Sequence, residues 1–265
     1  MTRITIGQYY PAYSILHKLD PRVKLAGAFA HMTVSLLVNN FIGYGIIAVY
    51  VAALITLSKV PPRLLFRGLR AILFMLIFMV GINLFLAPGD TILFQFGFVR
   101  LTLEGVHFAA QMAMRLVLLI VGTSMLTLTT SPIKLTDGIE ALLRPLKVIK
   151  VPAHDIAMMM TIALRFIPTL ADEMDKIMKA QKARGADFDT GGLVKRAKSL
   201  LPILVPLFVS AFKRADELAT AMEARCYRGD TGRTKMKEMK MTPADWLAVG
   251  VIIIVSVIAV LTRML

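Results

Sequence analysis

Two arginines in this chain sit in the same local sequence. Ala180-Gln181-Lys182-Ala183-Arg184-Gly185 and Ala221-Met222-Glu223-Ala224-Arg225-Cys226 share an A-x-x-A-R pattern at an offset of 41 residues. A guanidinium presents a planar fork of donors that satisfies carboxylates or carbonyls in a way lysine cannot copy, and small alanines beside it let a partner's backbone approach. The chemistry on offer is recognition of another chain. A cation near a helix C-terminus is also favoured by the helix dipole, by about 0.3–1 kcal/mol, whatever its function. For either arginine alone that electrostatic account suffices; the repetition is what argues for docking.

Other reactive groups are sparse. The single cysteine, Cys226, excludes an internal disulfide framework, and it reads as a small tolerated residue because nothing nearby supplies a resolving thiol. The four histidines, His17, His31, His107 and His154, lack ligand spacing. No H-E-x-x-H and no G-x-x-x-x-G-K-[ST] loop occurs, so neither a zinc hydrolase nor ATP binding by this chain itself is expected. An intramembrane enzyme would need a nucleophile with its base or facing carboxylates within the apolar runs, and none is there. A stand-alone carrier or channel, the remaining alternative, wants ionisable residues along several spans. Arg115 and scattered Thr and Asn are all that the spans offer, and Arg115 reads either as a functional charge or as one that faces a helix interface or snorkels.

The elements that carry the arginines follow from composition. Hydrophobic residues make up 57% of the 265, above the roughly 45–50% of soluble domains, so lipid is the solvent for much of the chain. Leu25 to Leu57 is free of charge over 33 residues, with Arg3, Lys18, Arg22 and Lys24 before it and Lys59, Arg63, Arg67 and Arg70 after it. The positive-inside rule wants both flanks in the cytoplasm, so this run crosses twice and turns at Asn39-Asn40 and Gly43 to Gly45. Ala71 to Ala87 predicts a third span, stopped by Pro88-Gly89-Asp90. Alternating Ile92, Phe94, Phe96 and Phe98 predict a short external hairpin, Val106 to Leu128 a fourth span, and Trp246 to Leu261 a fifth. No small-residue cleavage pattern follows the first apolar run, and no cleaved signal peptide is expected. The N-terminus is placed inside and the C-terminus outside.

Between Ser131 and Lys240 the chain carries 20 basic and 13 acidic residues, a cytoplasmic surplus of positive charge. Ala153 to Leu170, broken by Asp155 and Arg165, and Leu200 to Phe212, with Pro202 and Pro206, read as interfacial. Leu170, Met174, Ile177, Met178 and Gln181 recur at helical spacing, which predicts an amphipathic helix ending at Arg184-Gly185. A second helix is expected from about Leu193 to the Arg225–Gly229 region, after a fold-back at Gly191-Gly192. Each arginine then closes its own helix, and helices of about 30 residues at about 1.5 Å per residue hold them tens of ångströms apart. The mixed signs and few aromatics argue against nucleic acid, whereas Lys195, Arg196 and Lys198 suit anionic headgroups of membrane lipid.

These features resemble the transmembrane component of energy-coupling factor (ECF) transporters, the CbiQ/EcfT family. The likeness is carried by Ser14-Ile15-Leu16-His17-Lys18-Leu19-Asp20-Pro21-Arg22-Val23-Lys24-Leu25, by Arg165-Phe166-Ile167-Pro168-Thr169-Leu170 with Asp172-Glu173 and Ala180 to Gly185, and by Ala224-Arg225-Cys226. The resemblance implies that Ala183-Arg184-Gly185 and Ala224-Arg225-Cys226 dock into two ECF ATPase subunits, which bind ATP and Mg, and that no cofactor is held here. It also implies a third partner, the substrate-binding S component, for vitamin or metal-ion uptake. Met158, Met159, Met174 and Met178, with Leu204, Leu207 and Phe208, are the expected contacts to it, because thioethers repack against varied surfaces; the same methionines also suit plain gap-filling between helices. The expected architecture is an all-α polytopic protein of the cell membrane with about five transmembrane helices. Residues 1–130 form the membrane domain, 131–240 a cytoplasmic coupling module of long amphipathic helices, and 241–265 the last transmembrane helix.

Overall fold

A computed structural model of the chain describes residues 9–86, 91–96, 99–186, 188, 192, 198–229 and 239–263. Nine α-helices, a 3-10 turn and one hairpin are described: α1 (Ile15–Lys18), α2 (Pro21–Leu37), α3 (Phe41–Ser58), α4 (Pro62–Leu86), β1 (Ile92–Phe96), β2 (Val99–Thr102), α5 (Leu103–Thr129), α6 (Pro132–Leu143), the 3-10 turn Arg144–Ile149, α7 (Ala153–Ala183), α8 (Leu201–Ala224) and α9 (Pro243–Leu261). Spatial contacts divide them into two units, one built from α1 to α6 with α9 and the other from the 3-10 turn, α7 and α8.

The first unit begins with side chains that cap its helices. Ser14 accepts the His17 N–H at 3.3 Å to start α1, and Asp20 accepts the Arg22 N–H at 2.8 Å to start α2 ahead of Pro21. Each cap satisfies a backbone donor that a helix start would otherwise leave free. The turn expected in the middle of the first apolar run is present at Asn39-Asn40, where α2 has stopped at Leu37 and Asn40 opens α3 by accepting from Gly43 N at 3.0 Å; Gly43 to Gly45, also expected in the turn, lie within α3. α3, α5 and α9 are long and apolar enough to cross a membrane.

Of the five expected crossings, α3, α5 and α9 reach the length and apolarity of a span, and α2 and α4 lie at its margin. α2 has only 17 residues and spends its first turn on Pro21, Arg22 and Lys24. In α4 the helix starts at Pro62, nine residues before the apolar run predicted from Ala71, and its parts Pro62–Arg70 and Ile72–Leu84 meet at 58°. Among the described residues, three helices are long and apolar enough to cross a membrane, or four if the bent pair makes one span.

α9 is fastened at both ends. The Asp245 carboxylate, 1% exposed, accepts the Asp20 N–H at 2.7 Å and the Thr242 N–H at 2.7 Å. At the other end Thr262 donates its hydroxyl to the Asn40 side chain at 3.2 Å, and the Asn40 amide donates to the Thr262 carbonyl. α9 therefore starts beside the start of α2 and ends beside the start of α3. Val34, Val38, Tyr44, Ile47, Leu118 and Val121 lie in the buried core shared by α2, α3 and α5. β1 and β2 pair antiparallel, Phe96 opposite Val99, as the period-two alternation predicts; Phe98 lies outside the described residues.

Two polar groups lock α5 into this core. His31 on α2 hydrogen-bonds the Leu118 carbonyl through Nε2 at 3.0 Å, and its ring rests on Gly122, where a Cβ would lie 2.1 Å from that nitrogen. Arg115 donates from Nε to the Tyr44 hydroxyl at 2.9 Å and from Nη2 to the Val38 carbonyl at 3.1 Å and Asn39 Oδ1 at 2.6 Å. Of the two sequence readings of Arg115, the helix-interface one matches this geometry.

Candidate functional site

α7 and α8 form an antiparallel pair. α7 runs 31 residues without interruption, Pro168 included, so Ala153 to Leu170 and the amphipathic stretch after it are one helix. Pro206 is likewise inside α8, whereas Pro202 occupies its first turn, where a missing N–H costs nothing. The expected start near Leu193 and the fold-back at Gly191 lie outside the described residues; α8 is described from Leu201.

Glu173 joins the two helices at mid-length. Ser210 Oγ donates to its Oε1 at 2.7 Å and Arg214 Nη2 to its Oε2 at 2.8 Å. These two donors, the hydroxyl first and the guanidinium second, hold the carboxyl below the usual range. Nearer the end of α7, the Gln181 side chain donates to the Pro202 carbonyl at 3.4 Å. Sequence periodicity gave no sign of the Glu173 tie, since its partners lie 37 and 41 residues away.

Both arginines cap their helices in one and the same way. After α7, Ala186 N–H reaches back to Gln181 O at 3.0 Å and Gly185 N–H to Lys182 O at 3.0 Å. After α8, Tyr227 N–H reaches Met222 O at 3.1 Å and Cys226 N–H reaches Glu223 O at 2.8 Å. This nested pair of bonds is the Schellman motif, with the arginine as C-cap and the next residue left-handed, φ 86° at Gly185 and 55° at Cys226. Ala183, Arg184 and Gly185 are exposed, and so are Ala224, Arg225 and Cys226. From the Gln181–Pro202 contact, α8 climbs about 35 Å to Arg225 at about 1.5 Å per residue, so the two caps stand at opposite extremes of the pair.

The apolar residues divide. Met158, Met174, Met178 and Leu207 are half-buried, while Met159, Leu204 and Phe208 are exposed. On α8, Leu201, Leu204, Val205, Phe208, Val209 and Phe212 follow helical spacing as an apolar stripe, each 42–73% exposed. A stripe of that size without cover marks an interaction surface. Among the described residues, no group of His, Cys, Asp and Glu could hold a metal ion.

Comparison with known proteins finds relatives over nearly the whole chain. The family model CbiQ, described as cobalt transport protein, covers residues 12–236. The energy-coupling factor transporter transmembrane protein EcfT of Ruminiclostridium cellulolyticum is 55% identical over 95% of this chain and 94% of its own. The protein of the same description from Clostridium kluyveri is 54% identical over 98% and 97%, and that of Bacillus subtilis 43% identical over 99% of each. With its membrane-crossing helices and its matched length, the chain belongs to the CbiQ/EcfT family, the multi-pass cell-membrane components of energy-coupling factor transporters.

Proposed function

We propose that this chain is the scaffold through which two ECF ATPase subunits move a substrate-binding S component. Arg184 and Arg225 each seat one ATPase, the apolar stripe of α8 carries the S component, and the α7–α8 pair transmits force between them. The observation that supports this most is the identity of the two helix ends: same sequence pattern, same backbone motif, same exposure, opposite extremes. ATP and Mg stay with the ATPases. When ATP draws those subunits together, each carries one arginine cap, and the angle between α7 and α8 changes; packed helices shift as units rather than deform smoothly. The S component is tipped or released, and it alone selects the solute, a vitamin or a transition-metal ion.

The test is ATP-driven uptake in proteoliposomes holding the chain, its two ATPases and an S component of known solute. Arg184→Glu and Arg225→Glu should each abolish uptake. Uptake at the wild-type rate in both variants would end the assignment.

A further inference from the structure

The first segment of α4 carries charge that finds no ion-pair partner among the described residues. Arg63, Arg67 and Arg70 follow one another at i, i+4 and i+7, within an arc of about 60° at about 100° per residue, and all three are exposed. Leu65, 6% exposed and part of the core, points the opposite way. Among the described residues no carboxylate pairs with any of the three arginines. The sequence from Pro21 to Gly89 contains no Asp or Glu, so no local partner is available. Lys59 adds a fourth exposed cation just before this segment.

The position of the stripe says what it meets. At the 58° bend the basic segment Pro62–Arg70 gives way to Ile72–Leu84, whose Leu73, Phe74, Met75, Ile77 and Phe78 are 47–81% exposed. An apolar surface of that extent, on a helix pair apolar enough to cross a membrane, suits acyl chains. Phe66, 68% exposed, flanks the arginines. The chain thus passes within two residues, from Arg70 to Ile72, from a basic segment that also holds an exposed aromatic into an apolar one, which matches a phospholipid from headgroup to tail. An acidic protein surface would complement the cations but not the apolar continuation.

We infer that Arg63, Arg67 and Arg70 form a binding surface for anionic phospholipid on the cytoplasmic leaflet, with the bend in α4 setting the basic segment at headgroup depth. Guanidinium forks suit phosphate oxygens, and each basic side chain near an anionic leaflet strengthens attachment roughly fivefold.

The experiment uses the full chain in detergent, titrated with phosphatidylglycerol or phosphatidylcholine and read by native mass spectrometry. Wild type should retain phosphatidylglycerol in preference, and R63Q/R67Q/R70Q should lower that preference about tenfold or more. R63K/R67K/R70K, which keeps the charge, should retain most of it, and millimolar inorganic phosphate should not displace the lipid. Equal preference in wild type and the glutamine variant, equal loss in both variants, or ready displacement by inorganic phosphate would overturn the inference. So would a glutamine variant that keeps the lipid but sheds a co-purifying protein.

Discussion

Gly185 and Cys226 hold the same place in two copies of one helix end, and the backbone is left-handed at both, φ 86° and 55°. Glycine adopts that conformation freely, whereas a residue with a Cβ is disfavoured there by roughly 1–2 kcal/mol, partly offset by glycine's extra freedom when unfolded. Cys226→Gly should therefore stabilise the end of α8 by about 0.5–1 kcal/mol, and Gly185→Ala should destabilise the end of α7 by about 1 kcal/mol. Hydrogen exchange at Ala186 and Tyr227, the amides that close the two motifs, is the measurement; opposite shifts at the two sites are expected.

The Glu173 tie predicts a pH dependence. Because Ser210 and Arg214 lower its folded pKa, the tie contributes in full above the ordinary carboxylate pKa of about 4.3 and is lost as pH falls through the lower folded value. A disulfide-free distance probe across α7 and α8, such as paired spin labels, should report a fixed separation at neutral pH and a broader one on acidification. Glu173→Gln should show the broad distribution at neutral pH as well.

Arg115 and Tyr44 share the Val38 carbonyl, which accepts from Nη2 at 3.1 Å and from the phenol at 2.7 Å. Arg115→Lys cannot reproduce the fork that reaches Tyr44, Val38 and Asn39 together, so it should lower stability by about 1–3 kcal/mol and Arg115→Ala by as much or more. Thermal unfolding in detergent distinguishes this from a transport role: both variants that fold should keep ATPase attachment.

Gly122→Ala would push a methyl group into the His31 ring, whose Nε2 is held by Leu118 O at 3.0 Å. Overpacking of this kind costs about 1–3 kcal/mol. The double variant Gly122→Ala, His31→Ala should recover part of that loss, a result checked by the unfolding temperatures of the three proteins.

The parts of this fold legible in the sequence are those fixed by neighbours in the chain. Asn40 caps α3 because its side chain reaches three residues forward, and the two A-x-x-A-R ends close because the following backbone turns left-handed within two residues. Hydropathy located the apolar stretches but not the helices. α4 begins nine residues early, at Pro62, because a helix continues past the membrane once its charges can face water. α7 passes through Asp155 and Arg165, the charges read as breaking the apolar run Ala153 to Leu170, as one unbroken helix. The ties between Asp20 and Asp245, 225 residues apart, and between Glu173 and Arg214 have no local periodicity to announce them. Asp20 and Glu173 both lie in segments that carried the family resemblance, and the structure gives each a role in joining helices.

The proposed function requires Arg184 and Arg225 to be separate seats for two ATPase subunits. The direct measurement is the mass of the detergent-purified complex after co-expression with both ATPases. Wild type should carry two ATPase subunits, Arg184→Glu and Arg225→Glu one each, and the double variant none. Two subunits retained by the double variant would contradict the account.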